Sequence, residues 1–126
     1  MKSFITAIVL AISILVGGIS YRIYLDDITK ELIIRTEKIT QSVLSEDYEI
    51  AQTGISALED FIEEKRIALA STLDHSILDK IETNLAELKA YAACHQQFDS
   101  LAKCESLNLQ FKHLPKNYKV RPENIL

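Results

Sequence analysis

Residues 3–21, SFITAIVLAISILVGGISY, contain no Asp, Glu, Lys, Arg or His. As a helix rising about 1.5 Å per residue, this stretch is roughly 28 Å long, close to the ~30 Å hydrocarbon thickness of a bilayer. A secretory apolar core is shorter, about 7–15 residues. The small residues at Val16-Gly17-Gly18 and Gly18-Ile19-Ser20 do not form an A-x-A cleavage pattern, and no cysteine lies nearby to carry a lipid. The leading reading is therefore an uncleaved single-span anchor over residues 1–24, with the lipid bilayer as its first partner. A cleaved signal comes second and a buried soluble helix third.

Residues 22–126 are enough for a modest core. Without Lys2, 13 basic residues stand against 18 acidic ones, a net charge of −5. An acidic domain with no basic stripe repels phosphate backbones, so no nucleic-acid partner is expected. There is no glycine-rich phosphate loop and no tryptophan.

Helical periodicity governs the rest. Ile28, Leu32, Thr36, Ile39 and Val43 step by three and four and share one helix face. Asp26 and Asp27 are candidate caps, unless the helix runs straight out of the membrane. Ser45-Glu46-Asp47 interrupts the pattern, and Ser45 or Asp47 suits the cap of a second helix bearing Ala51, Ile55, Leu58 and Ile62. Gly54 inside that helix marks a close helix contact. A break is expected near Ser71-Thr72, where Ser71 and Asp74 approximate a capping box and the Asp74 carboxylate can accept the Ile77 amide. A third helix follows with Ile77, Ile81, Leu85, Leu88 and Ala92. After a turn at Cys94-His95-Gln96, a fourth uses Phe98, Leu101, Cys104, Leu107, Phe111 and Leu114, and Pro115 is expected to stop it.

An offset of 49 residues superposes Ile28 on Ile77, Leu32 on Ile81, Ile39 on Leu88, Val43 on Ala92, Ile55 on Cys104, Leu58 on Leu107 and Ile62 on Phe111. The expected fold class is all-α: an N-terminal transmembrane helix, then two tandem helical hairpins packed as a four-helix bundle or a short tetratricopeptide-like stack. The hairpin domain spans residues 25–114, with a first pair over 25–70 and a second over 71–114. Residues 115–126 form a C-terminal tail.

Two arguments on orientation oppose each other. Arg22, Lys30, Arg35 and Lys38 follow the span, and the positive-inside rule would keep that side cytoplasmic. A short basic start before one apolar segment is also how an export signal begins.

Asp74, His75, Asp79 and Glu82 form the one constellation that resembles chemistry. His75 and Asp79 are four apart and Asp79 and Glu82 three apart, so on a helix they share a face. Such a nitrogen–carboxylate group can hold a divalent ion. Acids near a helix N-terminus are equally what capping and the macrodipole favour, and no second His or Cys completes a ligand shell. The structural reading prevails: Ser71–Glu82 is first a hinge between hairpins, with His75 expected to hydrogen-bond one hairpin to the other. Cys94 and Cys104 are expected as free thiols, because their separation along a turn and a helix places the α-carbons over ~10 Å apart, beyond the about 4.4–6.8 Å of a disulfide. Tyr48, Tyr91 and Tyr118 read as rim or core residues.

The runs DHSILDKIE and LAELKAY and the ending HLPKNYKVRPENIL resemble an uncharacterised family of small membrane-anchored proteins of Gram-positive anaerobes, domain of unknown function 4363 (DUF4363). The matching positions are Asp74, His75, Asp79, Glu82, Leu85, Leu88, Tyr91, Pro115 and the terminal Glu123, Asn124, Ile125 and Leu126. Two departures stand out: Ile67-Ala68-Leu69 replaces a tryptophan-bearing stretch, and Ile77 stands where a Glu is common. The resemblance implies a membrane-anchored helical domain outside the cytoplasm and supplies no activity.

The expectation is thus a bitopic, non-enzymatic interaction module that needs no cofactor and contacts another membrane or envelope protein. The alternatives are a small-ligand or metal-sensing domain centred on His75, Asp79 and Glu82, and last a hydrolase.

Overall fold

A computed structural model describes residues 1–117. Five helices follow one another: α1 (Lys2–Leu44), α2 (Tyr48–Glu64), α3 (Arg66–Thr72), α4 (His75–Ala93) and α5 (Gln97–Asn117). The terminal Glu123-Asn124-Ile125-Leu126 and Tyr118 lie outside the described residues. α1 is unbroken over 43 residues, about 64 Å at the helical rise. Asp26 and Asp27 accordingly cap nothing. They lie mid-helix, and Asp26 pairs with Arg22 one turn earlier at 3.8 Å.

The C-terminal part of α1 packs with α2, α4 and α5 as an antiparallel ring. α1 contacts α2 and α5, and α4 contacts the same two helices from the other side; the α1–α5 interface is the most extensive. In a stack each hairpin would touch only its neighbour in sequence. Contact between the first and last helices closes the chain into a four-helix bundle.

The buried positions explain the ring. α1 buries Leu25, Ile28, Leu32, Thr36, Ile39 and Val43, and α2 buries Ala51, Ile55, Leu58 and Ile62. α4 buries Leu78, Ile81, Leu85, Leu88 and Ala92; α5 buries Ser100, Cys104, Leu107, Phe111 and Leu114. Alternating steps of three and four keep each seam on one side of its helix, the pattern of coiled-coil-like packing. The buried hydroxyls of Thr29 and Thr36 donate to the carbonyls of Leu25 (3.0 Å) and Leu32 (2.8 Å), so they enter the core without a lost hydrogen bond. Gly54 meets α1 closely: a Cβ there would lie 3.0 Å from Ile39 Cγ1.

Several local expectations are corrected. Phe98 points to solvent with 86% of its surface exposed. Stepping back from Cys104 by four reaches the buried Ser100, whereas two steps of three from Cys104 drift off the seam to Phe98. In α4 the first fully seated residue is Leu78, and Ile77 is only partly covered. Pro115 lies inside α5 rather than after it. A proline in the last turn forfeits one hydrogen bond where few remain, so the helix runs on to Asn117. The break between the hairpins falls at Leu73–Asp74, and the helix before it is bent at Lys65 (φ −96°, ψ 8°), which sets α3 apart from α2.

Candidate functional site

The junction Ser71–Glu82 spreads its polar residues over different surroundings. Asp74 is the N-cap residue of α4, but the Ile77 amide bonds to the Asp74 backbone carbonyl (3.0 Å) and no side-chain cap forms. Asp74 has an extended backbone (φ −66°, ψ 145°), and its carbonyl closes the first turn. His75 is exposed as the first residue of α4. Asp79 borders a shallow depression with Thr83, Asn84 and Gln110, on the α5 side. Glu82 faces the α2 side, where its carboxylate meets Arg66 Nη2 at 2.5 Å. Spacing by three leaves these acids neighbours on α4, but Glu82 is engaged by Arg66 while Asp79 borders a separate depression, so they do not converge on one site. Among the described residues no group of three or more His, Cys, Asp and Glu is placed to hold a metal ion.

The tie between the halves expected of His75 is made by other side chains. Arg66 bridges Glu82 on α4 and Glu63 on α2, the latter through Nε at 2.7 Å. The Glu63 hydrogen bond first, then Glu82, raise the Arg66 pKa above its already high value. Further along the same groove Lys89 meets Glu59 at 3.2 Å. In this open groove of about 510 Å³ between α2 and α4, Glu59, Glu63 and Glu82 are thus already paired to cations, and Asp60 stands at its edge. Across α4 and α5, Lys103 pairs with Glu87 (2.9 Å), and Asn84 donates to Gln110 (2.8 Å).

The two ends of the bundle carry features that periodicity does not reveal. At the end remote from the apolar segment, α1 and α4 both finish in the same turn. Glu46 N–H reaches Val43 O (3.0 Å) and Asp47 N–H reaches Ser42 O (2.9 Å). His95 N–H reaches Ala92 O (3.1 Å) and Gln96 N–H reaches Tyr91 O (2.9 Å). These are Schellman closures, with Glu46 (φ 56°) and His95 (φ 55°) in the left-handed region that glycine usually occupies. The turns interlock. The His95 ring stacks on Tyr48 at 4.4 Å with planes 7° apart, and the Gln97 amide donates to Val43 O (3.3 Å) and Leu44 O (3.4 Å) at the end of α1. Asp47 caps α2 by accepting from the Ile50 amide at 3.2 Å. The exposed apolar side chains Leu44, Ile50 and Phe98 cluster in sequence around these turns.

At the other end α3 is held against the start of the bundle part of α1. Thr72 Oγ1 donates to Ala68 O (2.6 Å), so the Tyr21 hydroxyl, 2.9 Å away, donates to Thr72. Lys65 Nζ lies 5.4 Å from the centre of the Tyr24 ring. Leu69, Thr72 and Leu73 are buried beneath α3. Cys94 is exposed and Cys104 buried, and both are free thiols. Burial pushes the Cys104 thiol pKa up, against a smaller opposing effect of a hydrogen bond with Thr40.

The family model for a domain of unknown function (DUF4363) matches residues 19–125. The chain belongs to this family. The match starts at the end of the apolar segment and runs through both hairpins, so the bundle and its junction are the family's shared part. No curated protein and no solved structure matches the chain.

Proposed function

We propose that the protein is a single-span, non-enzymatic interaction module whose bundle stands outside the cytoplasm and contacts another membrane or envelope protein. The observation that carries this reading is α1 itself. Its apolar stretch is long enough to cross a bilayer, none of its most apolar window is buried in the bundle, and the same helix continues without a break into the core at Leu25. A buried core helix would be covered. A cleaved signal would expose a new terminus beside Tyr21, fraying the turn whose hydroxyl holds Thr72. The continuous helix transmits the position of the span to the bundle and presents Phe98, Ile50 and Leu44 at the far end. Glu59, Glu63 and Glu82 of the α2–α4 groove are engaged by Lys89 and Arg66, which supports an architectural role for these three acids.

The test is site-specific photo-crosslinking of the full chain in intact host cells. A photoreactive residue at Phe98 or Ile50 is expected to yield a discrete adduct absent when the probe replaces the outward-facing Asp60. Identical patterns at all three positions would refute the reading.

A further inference from the structure

α3 has an unusual place and an unusual outer face. Lys65, just before it, lies over Tyr24, and Thr72, its last residue, is bonded to Tyr21. α3 thus lies beside the turn of α1 that bears Tyr21 and Tyr24, at the level where the apolar segment of α1 ends. Its inner face is committed: Leu69, Thr72 and the following Leu73 are buried against the bundle. Its outer face carries Ile67, Ala70 and Ser71, all exposed and none charged, and Ile67 keeps 85% of its surface open. Every other residue of α3 after Arg66 is also uncharged. An aliphatic side chain so placed is costly in water and favourable at the boundary of headgroups and acyl chains. The same depth suits tyrosine, whose ring is apolar and whose hydroxyl is polar, and Tyr21 and Tyr24 are both there.

We propose that α3 is a membrane-seating helix, with Ile67, Ala70 and Ser71 resting in the interfacial layer of the phospholipid bilayer. The occupant follows from position: the bond between Tyr21 and Thr72 sets the end of α3 at the residue where the uncharged stretch of α1 ends. This rests on the anchored reading of α1. A single helix leaves a bundle free to tilt about its exit point, whereas a second contact fixes both its height and its tilt. The bond between Tyr21 and Thr72 joins the two contacts.

The chain has no tryptophan, so single-tryptophan variants report depth without background. The full chain is reconstituted in phosphatidylcholine–phosphatidylglycerol vesicles containing lipids brominated near the headgroup or near the chain end. Three variants are compared: Ile67→Trp on α3, Ile14→Trp in the span and Phe98→Trp at the far end. Ile67 and Phe98 are exposed, so neither substitution disturbs the core. Ile67→Trp is expected to lose most of its emission to the shallow bromines and less to the deep ones, with a blue-shifted maximum. Ile14→Trp is expected to respond most to the deep bromines, and Phe98→Trp to neither. A water-like, unquenched Ile67→Trp beside a quenched Ile14→Trp overturns the seating of α3 and leaves the anchor standing. An unquenched Ile14→Trp overturns the anchor, and the seating of α3 with it.

Discussion

At the far end of the bundle two three-residue turns, 45–47 and 94–96, follow one backbone path. At the near end the chain passes from α2 to α4 through a bend at Lys65, the short α3 and two extended residues. The far-end turns each join neighbours inside one hairpin and close on the same backbone hydrogen bonds, with the His95–Tyr48 stack and the Gln97 amide tying one turn to the other. The near-end connection joins two hairpins past a helix that continues out of the bundle, so it depends on tertiary ties: Tyr21 to Thr72, Lys65 over Tyr24, and Arg66 to Glu82. Repetition is cheap where closure is local and is abandoned where the chain must pass α1. The difference matches the roles proposed for the two ends, one presented to a partner and the other seated at the lipid surface.

The largest effect should come from the seam that both halves share. Ile62 and Phe111 are equivalent by the offset of 49 and both buried. Phe111→Ala is expected to cost about 3–5 kcal/mol and Ile62→Ala about 2–5 kcal/mol in urea titrations, because each leaves a cavity in a closed ring. A loss below about 1 kcal/mol for Phe111→Ala would mean that α5 does not close the bundle.

Tyr21→Phe removes the donor that fixes α3. It should lower stability by about 1 kcal/mol, and amide exchange should quicken in residues 66–73 while residues 41–47 keep their protection. Uniform loss of protection would erase the contrast between the ends.

Ser100 is fully buried with no partner for its hydroxyl, and its equivalent in the first hairpin is Ala51. Ser100→Ala restores the repeat and should raise the melting temperature, by about 1 kcal/mol of stability. The smallest effects divide the two turns. Glu46→Gly relieves a left-handed residue and should gain about 0.5–1 kcal/mol after the entropy of glycine is counted. His95→Gly relieves the same strain but loses the ring stacked on Tyr48, itself worth roughly 0.5–1.5 kcal/mol, so its net change should be near zero or unfavourable. Equal gains in both would show that the stack contributes nothing.

Much of this bundle can be read from spacing. Every position that steps of three and four assign to the faces of α1 and α2 is buried, with Leu25, Thr29 and Tyr48 added by the packing, and the offset of 49 foreshadows two turns that share one backbone path. Spacing fails where a rule of local sequence competes with a distant contact. RIALAST continues a helical pattern, and only the packing of Leu69 and Leu73 and the Tyr21–Thr72 bond makes it a separate helix. Phe98 looks apolar enough for the core, yet the turn before it sets the phase of α5 so that Ser100 faces inward. The junction's acids share a helix face on paper; whether they form a site depends on neighbours from α2, α3 and α5, which periodicity does not supply. Glu46 and His95 gave no sign of left-handed backbone because neither is Gly or Asn.

The continuity of span and bundle is tested most directly by intact-mass measurement of the mature chain after alkaline extraction of host membranes. An uncleaved anchor continuous with the bundle predicts the full 14.3 kDa chain, retained in the membrane pellet. A soluble product beginning near Ser20 or Tyr21 would contradict it.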